Sequence, residues 1–261
     1  MRGKKYGAIF RFAFIHALRN YKELVGLAIF LIACLLIFAH LWQVIGIKTG
    51  VHSLNTEKLL WYIASNQWIL IAIPDVQEII EEDLRSSRLA YLLPRPISYL
   101  GSIFMEGLGV LSLRLLVLGV ITFFFTWMRL GALPESLTGL IVATLLGFLA
   151  GAVAIVFRMI VGVSAFWVQQ VEPLYWIWEK FLFTFGGLML PLALYPEILQ
   201  KIAYFTPFPS ILSYRSALLI AFNWQDALSV GLALLCWGVF ASLSLAFFYA
   251  RGLRILNLEG G

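Results

Sequence analysis

Glu78, Glu81, Glu82 and Asp83, followed by Arg85, Arg88 and Arg95, form the one dense block of opposed charge in this chain. The residue types point to gripping another protein rather than turning over a substrate. On a helix, Glu81 and Arg85 make an i,i+4 pair in the favourable order, worth roughly 0.3 kcal/mol. Such pairs hold a short helix without fixing its partner. Leu84, Leu89, Leu92 and Leu93 add apolar contacts, and Pro94-Arg95-Pro96 stops the helix. The block at 78–96 is therefore expected to be a short docking knob, with Glu78, Glu81, Glu82, Asp83, Leu84, Arg85, Arg88, Leu89 and Leu92 as its contact residues. The plainer alternative is a solvated connector.

A search for catalysis finds no candidate residue. The three histidines, His16, His40 and His52, are not at metal-ligand spacing, so no metal site is expected. The closest approach to a serine nucleophile turn is Gly162-Val163-Ser164-Ala165, which lacks the second glycine and a histidine partner. No Gly-x-x-x-x-Gly-Lys-Ser/Thr loop is present to cradle a nucleotide. Cys34 and Cys236 both fall in apolar segments and read as small core residues. Arg114 is the one clearly intramembrane charge; Asp75 and Glu106 lie towards helix ends. Arg114 reads either as half of a structural ion pair or as part of a substrate path.

The elements that must position these residues are membrane helices. The chain has 261 residues, 61% of them hydrophobic and only 13% charged, about half the charge of a soluble domain. No polar segment is long enough for a separate soluble domain, so residues 1–261 form a single transmembrane domain. The net charge of +5 is explained by topology, and no nucleic acid is expected.

A spanning helix needs about 20 apolar residues. Six candidates are read at 24–47, 59–73, 103–127, 137–157, 176–194 and 227–249. The second runs on through Pro74 to Ile80, and the fourth past Arg158 to Val171. The second and fifth are the shortest of pattern, and five or seven crossings would also fit. Lys and Arg divide thirteen to five between the two sides when Arg158 and Lys180 are placed in the fourth connection and Arg215 outside. Both termini are therefore expected to be cytoplasmic. Trp42, Trp61, Trp127 and Trp224 fall at the expected outer boundary, as an aromatic belt.

Residues 1–22 carry Lys4, Lys5, Arg11, Arg19 and Lys22 opposite Tyr6, Ile9, Phe10, Ala13, Phe14 and Ala17. That pattern predicts an amphipathic helix on the lipid surface, and nothing in it resembles a removable signal peptide. Residues 191–226 hold Pro191, Pro196, Pro207 and Pro209 around apolar pieces at 198–205 and 211–222, each too short to cross. A broken, re-entrant helical hairpin at the outer face is expected there, forming an outer gate. A loop resting on the interface is the alternative. Ala143, Gly147 and Gly151, and Gly238 with Ser242, recur at four-residue spacing, which suits close helix packing within this chain or with another.

The amphipathic start, the six spans, the run Glu81-Glu82-Asp83-Leu84-Arg85-Ser86-Ser87-Arg88-Leu89, Leu93-Pro94-Arg95-Pro96 and the proline-broken stretch before the last span together resemble the membrane subunits of ABC-2 class transporters. The resemblance covers essentially the whole chain. It implies an all-α polytopic permease of the bacterial cytoplasmic (inner) membrane, working as a homo- or heterodimer of permease chains among membrane lipid. It implies that 78–96 is the coupling helix docked in a separate ABC ATPase subunit, which holds the ATP and Mg, so that this chain carries no cofactor and no catalytic residue. Export is the direction it implies. Phe123, Phe124, Phe125, Phe181, Phe183 and Phe185 suit an amphiphilic substrate, and equally suit core or lipid-facing positions. A membrane scaffold without transport and an integral membrane enzyme are the rival classes.

Overall fold

The computed structural model describes residues 2–49, 56–86, 88–131, 133–134, 136–168 and 170–259. All regular structure in the described residues is helical. Helix α1 (Arg2–Arg19) is separated by Asn20 from α2 (Tyr21–Thr49), and α3 (Thr56–Ala72) follows. Then come α4 (Val76–Arg85), α5 (Arg88–Leu92), α6 (Tyr99–Leu130) and α7 (Leu137–Val163). After α8 (Glu172–Phe185) lie α9 (Glu197–Tyr204), α10 (Phe208–Ile211), α11 (Ser213–Ala217) and α12 (Trp224–Glu259).

Among the described residues four segments are long and apolar enough to cross a bilayer: Tyr21–Trp42, Tyr99–Leu130, Leu137–Phe166 and Trp224–Ile255. The other two expected spans take a different form. Helix α3 has 17 residues, about 25 Å of rise, and nearly all of Leu59–Ile73 is buried among the other helices. It is roofed by protein rather than lipid. The fifth span, expected at 176–194, is not one helix. It ends at Phe185 because Gly186 and Gly187 follow, and Gly187 has φ of +64°, a conformation a side chain resists.

Antiparallel packing sets the levels within the bundle. Trp68 of α3 donates to the Leu115 carbonyl of α6 at 2.9 Å, while the Trp61 ring packs tilted against Phe123. Gly107, Gly147 and Gly151 let α6 and α7 approach each other and α3, against Ile155, Ile69 and Leu111. The small-residue row in α7 therefore serves packing within this chain. Gly238 likewise faces Val153, whereas Ser242 is exposed. Cys236 also lies exposed on α12, not in the core as its apolar surroundings suggested.

Helix α1 runs along the first half of α6. Tyr6 accepts from the Ser98 backbone N–H at 3.2 Å, and Ala13 and Ala17 are buried. Gly109 is the point of closest approach: a Cβ there would stand 2.5 Å from the Phe10 carbonyl oxygen. The stripe expected on lipid is thus taken up by α6, and Phe12, Ile15 and Leu18 are the exposed apolar residues instead.

Candidate functional site

The charged block folds as α4 and α5, and it has two sides. Val76, Gln77, Ile80 and Asp83 face inward, with Gly162 of α7 close against Gln77 and Ile80. Glu78, Ile79, Glu82 and Arg85 face out, joined by exposed Arg88, Tyr91 and Leu93. Glu81 and Arg85 pair at 2.9 Å as the spacing demanded. Two of the expected contact residues are corrected by this geometry. Asp83 is buried, accepting from the Tyr99 hydroxyl at 3.0 Å with Arg88 3.6 Å away, and Leu89 belongs to the main core. They hold the knob to the bundle. Leu84 and Leu92 are half-buried against that core. Ile79 and Tyr91, which the sequence reading left out, are also exposed on this outer face, which shows only once the helix is packed.

Behind α4 lies a cluster that sequence reading treated as loop charge. Arg158 sits inside α7, 3% exposed. It donates to the carbonyls of Ile73 and Pro74 at 3.0 Å each and to Asp75 at 2.7 Å, with Glu179 of α8 3.8 Å away. Its guanidinium lies over the Tyr175 ring, and Tyr175 donates to Glu179 at 2.5 Å. The carbonyls freed where Pro74 ends α3 are thereby satisfied. Lys180 likewise lies within α8, against Trp176 and Phe183. The Glu78 carboxyl, at the head of α4, is held above its ordinary range by partial burial and then by Asp75, while Arg158 opposes the shift.

Arg114 pairs with Glu23 at the start of α2, so the structural ion-pair reading is the one the geometry supports. The prolines each open a helical piece: Pro191 precedes a 3-10 turn at Leu192–Leu194, Pro196 caps α9, and Pro207 and Pro209 start α10. Helix α9 leaves Ile198, Ile202 and Tyr204 exposed. Helices α10 and α11 do the opposite and are buried against α3, α7, α8 and α12.

At the centre of that buried piece is Arg215, 0% exposed. Its Nη1 donates to Ser65 Oγ at 2.7 Å and reaches the Ala143 carbonyl at 3.5 Å. Its Nη2 donates to the Ser65 carbonyl at 3.0 Å, Ser216 Oγ at 2.8 Å and Asn66 Oδ1 at 3.4 Å. Ser216 in turn donates to Asn66 Oδ1 at 2.5 Å, and Tyr62 and Asn66 both donate to the Gly187 carbonyl. Beside this network is a cavity of about 270 Å³ whose walls include Trp61, Ser65, Trp68, Val120, Phe123 and Thr144. Trp61 is thus a cavity wall and not a belt residue. Sequence reading placed Arg215 on the outer surface; the Ser-Tyr-Arg-Ser run inside an apolar stretch was the available signal.

The described residues thus form a helical membrane protein with a two-sided charged segment against one end of α7 and a buried polar network against the other. Residues 60–260 match the model of the ABC-2 family transporter proteins. The chain belongs to that family, which makes it an ABC-2 type membrane permease subunit. The family supplies the transmembrane part of an ABC transporter and not its ATPase, so an ABC ATPase subunit is its implied partner. Comparison with curated proteins finds no match.

Proposed function

We propose that this chain lines the translocation path of an ATP-driven exporter, as one of two permease chains, and takes its power stroke through α4 and α5. Family membership over residues 60–260 is the observation that carries the reading. The outward Glu78, Ile79, Glu82, Arg85 and Tyr91 supply a mixed-charge, partly apolar face of the kind a separate ATPase subunit can grip. In this reading α3 and α8 complete six crossings, both termini lie on the cytoplasmic side of the bacterial inner membrane, and 191–226 dips in from the outer face as the gate. ATP and Mg reside on the partner.

The route of the stroke follows from packing. Closure of the ATPases displaces α4. Its inner face is seated on α7, and Arg158 ties the end of α3, Asp75 and Glu179 of α8 into one unit. A push on α4 therefore moves α7 and α8 together as a rigid body.

Gentle-detergent purification of the tagged chain from its native membranes, with mass spectrometry of the bound proteins, tests the reading. A stoichiometric ABC ATPase that is lost in Glu82→Arg is the expected result. A chain that elutes folded and alone would overturn it.

A further inference from the structure

Arg215 is the third buried arginine among the described residues, and it differs from the other two. Arg114 has Glu23 and Arg158 has Asp75 and Glu179, but among the described residues no carboxylate pairs with Arg215. All its acceptors are neutral; its Nε, like that of Arg158, has no hydrogen-bond partner among the described residues. The position is buried between helices at the end of α7 opposite Arg158, about 9 Å along that helix from Leu137. Ala143, which it reaches on α7, is about 22 Å along that helix from Arg158. A cation between membrane helices without a counter-ion is costly and marks a site rather than a strut.

The cavity beside it shows what would supply the charge. Ser65 and Ala143 form part of its wall and also bind the guanidinium, so a group entering from the cavity meets Ser65 with Arg215 Nη1 only 2.7 Å behind Oγ. The remaining wall is aromatic and aliphatic. Leu116, Val120 and Phe124, on the lipid-facing side of α6, are exposed at its mouth. Trp61 Nε1 and Thr122 Oγ1, from two wall residues, also lack partners. At about 270 Å³ the space is just below the usual range of ligand sites, enough for part of one hydrocarbon chain.

We propose that the cavity and Arg215 form the binding site for an anionic single-chain amphiphile, and that this is the class of cargo the transporter moves. The chain enters between Leu116 and Val120. The acid accepts from Arg215 Nη1 after Ser65 Oγ rotates aside. The cargo assignment rests on the permease reading above; the binding site does not.

The test uses the full chain in nanodiscs and two photoreactive probes with the same diazirine-bearing chain, an alkyl phosphate and an alkyl alcohol. Labelled peptides are mapped by mass spectrometry. The phosphate should label residues 61–68 and 115–124 about ten-fold or more above the alcohol, the range expected for a charge-assisted hydrogen bond. Arg215→Gln should erase that preference while leaving alcohol labelling intact, which also reports that the cavity has folded. Asn66→Asp gives Arg215 an internal carboxylate and should erase the preference with the arginine still in place. Val120→Trp, at the mouth, should reduce labelling by both probes. Equal labelling of the unaltered chain by the two probes, or a phosphate preference that survives Asn66→Asp, would overturn the site. In the complex with its ATPase, ATP and Mg should lower phosphate labelling; labelling indifferent to ATP would make the occupant a resident anionic lipid and sink the cargo assignment. If no ATPase co-purifies, the permease reading fails on its own, and the nanodisc result still decides whether Arg215 binds an anion.

Discussion

Three arginines lie buried in this bundle, and their surroundings rank what each does for the fold. Arg158 satisfies two main-chain carbonyls and touches two carboxylates while almost wholly buried. Replacing it by Leu strands those acceptors, at a cost of about 3 kcal/mol. Arg114 pairs with a Glu23 that is 43% exposed, so Arg114→Leu should cost under about 1 kcal/mol. Thermal unfolding in detergent should therefore show a clear loss for Arg158→Leu and almost none for Arg114→Leu. Equal losses would mean that Glu23 is better shielded in the bilayer than in the isolated chain. At this scale the sequence was informative only for the residues that stay near their neighbours, such as Glu81 and Arg85. Arg158 and Arg215 read as connection charges, because their partners are about 80 and 150 positions away.

Helices in this chain do their work through which face they present. On the proposed reading the outer face of α4 and α5 docks while the inner face anchors, so two neighbouring acids should behave differently. Glu82→Arg, on the outer face, should abolish ATPase co-purification without loss of thermal stability. Asp83→Asn weakens the bond to Tyr99 and the attraction to Arg88, and should lower stability by about 1–2 kcal/mol with docking impaired only as the knob loosens. The opposite pattern would show that the faces have been assigned the wrong way round. Helix α1 offers a second test. Gly109→Leu places a side chain against the Phe10 backbone, so α1 should detach from α6 and trypsin should cut at Arg11 and Arg19 several times faster. An unchanged cleavage rate would mean that the packing of α1 on α6 is not maintained in the membrane.

For the whole molecule, the question is whether a push at one end reaches the polar network at the other. Asp75, the exposed residue at the head of α4, and Glu179 join α3, α7 and α8 through Arg158, and neither belongs to the outward set Glu78, Ile79, Glu82 and Arg85. The double substitution Asp75→Asn with Glu179→Gln should therefore leave the ATPase bound and hydrolysing while transport into vesicles falls at least several-fold. Equal loss of binding and transport would place these acids in the dock itself. The cavity and Arg215 stand at the other end of α7, so on the proposed reading α7 is the element that would carry the motion.

Composition alone determined that this is a polytopic membrane protein, because 61% hydrophobic residues leave no other solvent in which the chain could fold. Local spacing determined the Glu81–Arg85 pair and the proline-started helices after 191, since each depends on residues a turn or less apart; which face of α4 and α5 is buried was decided by packing on the bundle. The tertiary structure alone decided that α3 is sheathed by protein, that the fifth apolar run breaks at Gly187, and that Arg215 is carried inward against Ser65 and Asn66. Hydropathy measures how apolar a residue's neighbours in sequence are. Whether lipid, protein or an unpaired cation faces that residue depends on packing between segments far apart in the chain.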